Sequence, residues 1–279
     1  MKLLREEIVN MPNWVQNDIC LHGKEKDIKK VLELVKSEES EFDFNKLVPI
    51  PKTMHIPAGG YDDQSIQYAV SKMSKAKQIE IKVALTKAEC SFYGNYFKKI
   101  YGRIFTTEEL EKCAKQFAEE RIKENKNYFD NTDYNSLGIK TLEDLGNMYL
   151  YNIMTYGCDT WYDWCCEYWG TKWNACEVFV GSNCISFQTA WSVPDSILEA
   201  FAYICDQYDV TFEGQYADED RGHNSGHISS ENGIKEYENN SHEALSAYIE
   251  LWGESDCIGE DENGNLVNYD CDTCPNKCY

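Results

Sequence analysis

The chain has 279 residues, 42% of them apolar and 13% aromatic, enough for the core of one large or two small domains and too much for a disordered chain. Acidic residues outnumber basic ones 48 to 27, a net charge of −21. No run of eighteen apolar residues is present, which excludes a transmembrane helix, and Met1–Asn10 lacks the apolar stretch of a secretory signal, so a cytoplasmic protein is expected.

Trp14, Val15, Ile19 and Leu21 mark a strand that ends near Gly23. Ile28, Val31, Leu32 and Val35 then form one helical stripe, with Lys and Glu opposite. Phe42 and Phe44 alternate with polar residues before Leu47-Val48-Pro49-Ile50-Pro51, which predicts a second strand stopped by proline. From Tyr61 to Tyr156 the pattern is mostly helical, although Ile79, Ile81, Val83 and Leu85 alternate as in a strand. Thr106 with Glu109, and Thr141 with Asp144, have capping-box spacing and each predict a helix start. Five of the seven tryptophans follow within Trp161–Trp191. Val178 and Val180 face Ile185 and Phe187 across Gly181-Ser182-Asn183, a hairpin signal. A helix is expected after Pro194, a strand at Val210–Phe212, another from Ile228 to Tyr237, a short helix over Ser241–Trp252, and an irregular tail beyond.

The fold class this order predicts is α+β: a ferredoxin-like antiparallel sheet backed by helices, with a helical insertion and an acidic, Cys-containing tail. The corresponding divisions are 1–58 (first βαβ part of the core), 59–156 (insertion), 157–240 (second part of the core) and 241–279 (tail).

Charge is segregated. Glu199–Tyr279 holds 19 acidic and three basic residues, whereas Lys72–Arg103 holds eight basic and two acidic ones. The pattern suits either solvated faces that keep the chain soluble or opposite poles for an electrostatically steered contact with another protein or a second copy, while the acidic third is ill suited to nucleic acid.

Two groups of residues stand out as candidate sites. In Trp169-Gly170-Thr171-Lys172-Trp173, with Trp191, a lysine among indoles can hold a carboxylate or phosphate or make cation–π contacts; equally, Trp169, Trp173 and Trp191 can be an aromatic core. Cys271, Cys274 and Cys278 have C-x₂-C-x₃-C spacing, and Cys257 lies 14 residues before them, a set able to chelate a structural zinc or to form disulfides. Cys20, Cys113, Cys176, Cys184 and Cys205 sit among apolar residues and are expected to fill the core. His223 and His227 have H-x₃-H spacing in a turn-like segment and do not predict a metal pair. Neither a nucleophile elbow nor a phosphate-cradling Gly-rich loop is found.

Met11-Pro12-Asn13-Trp14, Phe42 to Pro51, Trp164 to Ala175 and Phe187 to Pro194 together resemble the YubB-type family, which has a ferredoxin-like domain and is carried by phages, plasmids and pathogenicity islands. The resemblance covers about residues 11–58 and 160–235 and implies a ferredoxin-like core, a mobile-element origin and a usual family start at Met11. The family has no established reaction, so no catalytic residue is carried over.

The expected function is a non-catalytic protein-binding accessory protein, an inhibitor of a bacterial anti-phage defence complex. Its partner would be a host or defence-system protein, with self-association also expected and no membrane partner. The alternatives are an enzyme with a site between core and insertion, or a nucleic-acid-binding ferredoxin-like module.

Overall fold

The computed structural model describes residues 13–87, 89–90, 94–123 and 132–269. The chain divides into two units: residues up to Val48 together with those from Trp169 onward form one, and Pro49–Tyr168 the other.

The first unit is built on a six-stranded sheet. Strand β1 (Trp14–His22) alternates in burial, turning Val15, Asn17, Ile19 and Leu21 inward. Helix α1 (Glu25–Leu34) carries Glu25 and Asp27 in its first turn, where they suit the helix dipole, and buries Ile28 and Val31. The later elements are β2 (Cys176–Val180), β3 (Cys184–Ala190), α2 (Asp195–Asp206), β4 (Thr211–Asp218), β5 (Ser225–Ser229), β6 (Gly233–Glu236) and α3 (His242–Trp252). The sheet order is β2-β3-β1-β4-β5-β6, with every neighbouring pair antiparallel.

Taken with α1 and α2, the first four strands have the order and connection of a ferredoxin-like βαββαβ unit, and β5–β6 extend it by a hairpin. The core lies between the sheet and α1–α2. Phe42 is its centre, with ring centroids 5.0 Å from Phe187, 5.3 Å from Phe201 and 5.6 Å from Phe44. Helix α3 lies on the other face of the sheet. Its Glu250 accepts a hydrogen bond from Gln215, whose neighbours Gly214 and Tyr216 share the inward register of Ile19 and Asn17, and the Trp252 indole N–H donates to the Ala217 carbonyl at 2.9 Å.

Three segments of this unit differ from the sequence expectation. Ile228–Tyr237 is not one strand, because Ser229 pairs with Gly233 across a turn and divides it between β5 and β6. Phe42–Pro51 is not a strand; its centre is a helical turn, Phe44–Leu47. The Asp43 carboxylate accepts the Asn45 N–H at 2.9 Å, and Asn174 Oδ1 accepts the Phe44 N–H at 2.9 Å, so side chains take the place of a strand partner. Beyond α3 the chain is not wholly irregular, because Ile258–Glu260 and Leu266–Asn268 pair as a small hairpin around an Asp261 carboxylate that accepts the N–H groups of Asn263 and Asn265.

The second unit is mostly helical, with a short strand pair, Glu89–Cys90 against Gly94–Asn95. Helices Asp62–Lys72, Lys75–Lys87, Tyr96–Tyr101, Thr107–Phe117 and Leu142–Tyr156 enclose Ile66, Val70, Ile81, Leu85, Phe117, Leu145, Tyr149 and Ile153. Both expected capping boxes are present, Thr106 with Glu109 and Thr141 with Asp144. Ile79–Leu85, whose alternation also suits a strand, is helical. Ile81 and Leu85, four apart, are buried, while Ile79 and Val83 are exposed.

Among the described residues no helix is long and apolar enough to cross a membrane.

Candidate functional site

The segment between Trp169 and Trp173 begins in the core and ends at the surface. Trp169 is only 2% exposed; its ring stands edge-on to Phe44 at 5.6 Å, and its indole N–H donates to the Val48 carbonyl at 2.8 Å. Gly170 then turns the chain at φ +77, a left-handed backbone that glycine adopts without cost. The buried Thr171 hydroxyl donates to the Ala190 carbonyl at 2.9 Å and accepts the Ala190 N–H at 3.1 Å, stitching the loop to the end of β3. The Ser192 hydroxyl adds a bond to the Gly170 carbonyl. Asn174 closes the loop by donating to the Asp43 carboxylate at 2.8 Å. Burial would raise the Asp43 carboxyl, but bonds from the Asn45 N–H and from the Ser37 and Asn174 side chains outweigh it and hold the group below its ordinary value.

This anchoring leaves Lys172 between two partly exposed indoles. Its Nζ lies 4.3 Å from the Trp173 ring centroid and 5.2 Å from that of Trp191, both within cation–π range. Trp14, at the start of β1, extends the patch with its ring 5.8 Å from Trp173. Three of the four predicted binding residues, Lys172, Trp173 and Trp191, therefore meet at the surface, while Trp169 supports them from the core.

Trp191 is the unusual member. Its φ is +70, a region that a bulky side chain occupies at a cost of ~1–3 kcal/mol. The strain is held from both sides. The Trp191 N–H donates to the Asn13 carbonyl at 2.8 Å, and the Trp191 carbonyl accepts from the Asn224 side chain at 3.0 Å. Asn13 and Asn224 both donate to the buried Asp218 carboxylate, at 3.3 and 2.9 Å. A buried acid thus fixes the two groups that hold a partly exposed tryptophan.

Of the predicted metal set, Cys257 is buried at the entrance to the small hairpin, where its carbonyl accepts the Tyr269 N–H. Cys271, Cys274 and Cys278 lie outside the described residues. Among the described residues no group of three metal-ligating side chains assembles. Cys205 does fill the core, and burial pushes its thiol up to about 12; Cys113, Cys176 and Cys184 are only partly buried. Cys20 is exposed, because β1 turns it to the outer face of the sheet.

Among the described residues of the helical unit, two clefts are of ligand size. One, about 390 Å³, is lined by Leu137, Ile139, Met148 and Tyr151, and its one acid, Asp144, is committed to capping Thr141. The other, about 460 Å³, is lined by Tyr61, Phe105, Arg103, Lys112 and Arg121. Arg103 stacks 4.5 Å from the Phe105 ring and Arg121 lies 5.9 Å from that of Tyr61. Glu109 lines this cleft too, 3.6 Å from Arg103, but it is also the capping-box acid of its helix. Hydrogen bonds from the Thr106 N–H and hydroxyl, with Arg103 nearby, hold its carboxyl below the ordinary value.

Residues 168–259 match the profile of a family described as the ferredoxin-like domain in Api92-like protein. That segment runs from the tryptophan loop through β2–β6 and α3, so it includes five of the six strands of the sheet and three of the four surface-patch residues. Among solved structures, the crystal structure of a protein api92 from Yersinia pseudotuberculosis is similar at 12% identity and a TM-score of 0.34, over 81% of this chain and 98% of that one. No curated protein matches the chain.

Proposed function

We propose that the chain is a non-catalytic protein-binding accessory protein of a phage or mobile element, which inhibits a bacterial anti-phage defence complex by contact through the Trp14–Lys172–Trp173–Trp191 patch. The observation that carries the binding role is the lysine held between two partly exposed indoles, on a loop fixed to the sheet by buried hydrogen bonds. Rigid tryptophans are the side chains that most often dominate interface energy, and a lysine shielded by them meets an acidic group with less water to displace. The mobile-element origin and the inhibitory role rest on the family resemblance. The unit that bears the patch has 12 basic and 31 acidic residues, so long-range attraction would come from a partner that is basic around the docking point.

The test is affinity capture from a native host lysate, followed by titration of the purified partner. Trp173→Ala is expected to weaken binding by at least ~2 kcal/mol, about thirtyfold, with the fold retained by circular dichroism; raised salt should slow association. Unchanged affinity in both Trp173→Ala and Lys172→Ala would overturn the reading.

A second reading, ligand binding by the helical unit, is favoured by one observation. Among the described residues neither Lys112 nor Arg121 has an acidic partner, although both line the 460 Å³ cleft of a chain rich in carboxylates. Unpaired cations beside aromatic rings suit a nucleotide or a single-stranded nucleic acid. Titration with ATP and with a short single-stranded DNA at low salt checks it. Binding that falls about tenfold or more in Lys112→Ser/Arg121→Ser supports this reading, and absence of binding to either probe rejects it.

A further inference from the structure

Cys20 on β1 and Cys184 on β3 are direct register partners on the outer face of the sheet. The neighbouring bond fixes which kind of pair they are. The Leu21 N–H donates to the Asn183 carbonyl at 2.7 Å, and the Trp191 N–H donates to that of Asn13 at 2.8 Å, so residues thirteen and twenty-one both lie in hydrogen-bonded pairs. Pair types alternate along an antiparallel ladder, which puts Cys20–Cys184 at a non-hydrogen-bonded position. Such pairs have Cα atoms about 4.5 Å apart, at the short end of the roughly 4.4–6.8 Å that a disulfide spans. Cys20 is exposed and Cys184 partly so.

We propose that Cys20 and Cys184 are a redox-modification site that closes to a cross-strand disulfide in the presence of a small-molecule disulfide such as oxidised glutathione. The exposed Cys20 thiolate attacks the reagent, forming a mixed disulfide and releasing one glutathione thiol. Cys184 then loses its proton, displaces the second glutathione from Cys20, and leaves the protein disulfide. Two protein thiols are oxidised and one reagent disulfide is reduced to two thiols.

The outward-facing charges set the pH dependence. Burial raises the Cys20 thiol first, then the neighbouring Cys184, then Asp18 on the same strand and Glu213 on β4; His22 lies beside them, 3.4 Å from Glu213. Cys20 is therefore protonated at neutral pH, and bridging should speed up about tenfold per pH unit until the thiol titrates. A bond that is exposed and at the tight end of the geometric range is also readily reduced, which suits a reversible modification.

Gly181 offers an independent handle. It lies opposite Cys184 on the β2 side, and a Cβ built there would sit 2.6 Å from the Cys184 sulfur, so the thiol leans over the glycine and away from Cys20. Gly181→Ala would force the sulfur to another staggered rotamer and favour closure.

The experiment incubates the reduced full chain in glutathione buffers, blocks free thiols by alkylation and maps peptides without reduction. Expected are a peptide pair joined through Cys20 and Cys184, its loss in Cys20→Ser and in Cys184→Ser, a stable glutathione adduct on Cys20 in Cys184→Ser, and faster bridging in Gly181→Ala. Recovery of both residues as alkylated thiols in a folded protein, or of Cys20 joined to another cysteine, would overturn the proposal.

Discussion

Replacing Trp169 by alanine should lower the unfolding free energy of the sheet-containing unit by ~3–5 kcal/mol, the range for truncating a large buried aromatic. The side chain is almost wholly buried, rests edge-on against Phe44 and has its one polar atom bonded to the Val48 carbonyl. Truncation therefore opens a ring-sized void and leaves a carbonyl without its donor. Trp169→Phe separates the two effects. It keeps most of the apolar contact but strands the carbonyl, and should cost ~1–3 kcal/mol. Urea denaturation of the three proteins measures both. A Trp169→Ala midpoint no lower than that of Trp173→Ala would show that the indole is not the support of the loop. Because the loop carrying Lys172 and Trp173 starts at this residue, the same substitution should also weaken partner binding, whereas Trp173→Ala should do so without loss of stability.

That contrast explains what the sequence could and could not reveal. Phe42 to Pro51 and Trp164 to Ala175, separate family-like motifs in the sequence, meet in the fold through Phe44–Trp169, Asp43–Asn174 and Val48–Trp169. Their distinctiveness is thus largely structural; Lys172 and Trp173 face outward from it, as does the exposed Asn45. The capping boxes were readable because their partners are three residues apart. Phe42–Leu47 was not, because the bond that replaces strand pairing comes from Asn174, 130 residues away. Ile79–Leu85 satisfied both apolar periods, and only the packing of Ile81 and Leu85 decides between them. Cys20 has apolar neighbours in sequence, yet a period of two places it on the opposite face. Trp14 reads in the sequence as a strand residue and as the end of the Met11–Trp14 motif, but not as a neighbour of Trp173, since that approach depends on a β1–β3 register that no local pattern specifies. The left-handed backbone of Trp191 has no sequence signal either, because glycine or asparagine is what that conformation normally selects.

Gly146→Ala should show the opposite sign in the folded protein from the one helix propensity gives. In an isolated helix alanine is better than glycine by about 1 kcal/mol, so the substitution would look stabilising within Leu142–Tyr156. In the fold, a Cβ at this position would lie 2.0 Å from the Ser65 carbonyl oxygen and 2.9 Å from the Ala69 Cβ, so the two helices touch backbone to backbone there. A carbonyl within Asp62–Lys72 cannot swing aside as a side chain can, because it is part of that helix's hydrogen-bonded backbone. The helices must instead separate by more than an atomic radius, pulling apart the layer formed by Ile66, Val70, Leu145 and Tyr149. The expected net loss is at or above the upper end of the ~1–3 kcal/mol typical of overpacking, seen as a lower Tm. Ala69→Gly should restore little in the double variant, because it removes one wall and leaves the Ser65 carbonyl in place. A Tm at or above that of the unsubstituted protein would mean that the two helices do not approach this closely, and full rescue by Ala69→Gly would mean that the side chain, not the backbone, sets the distance.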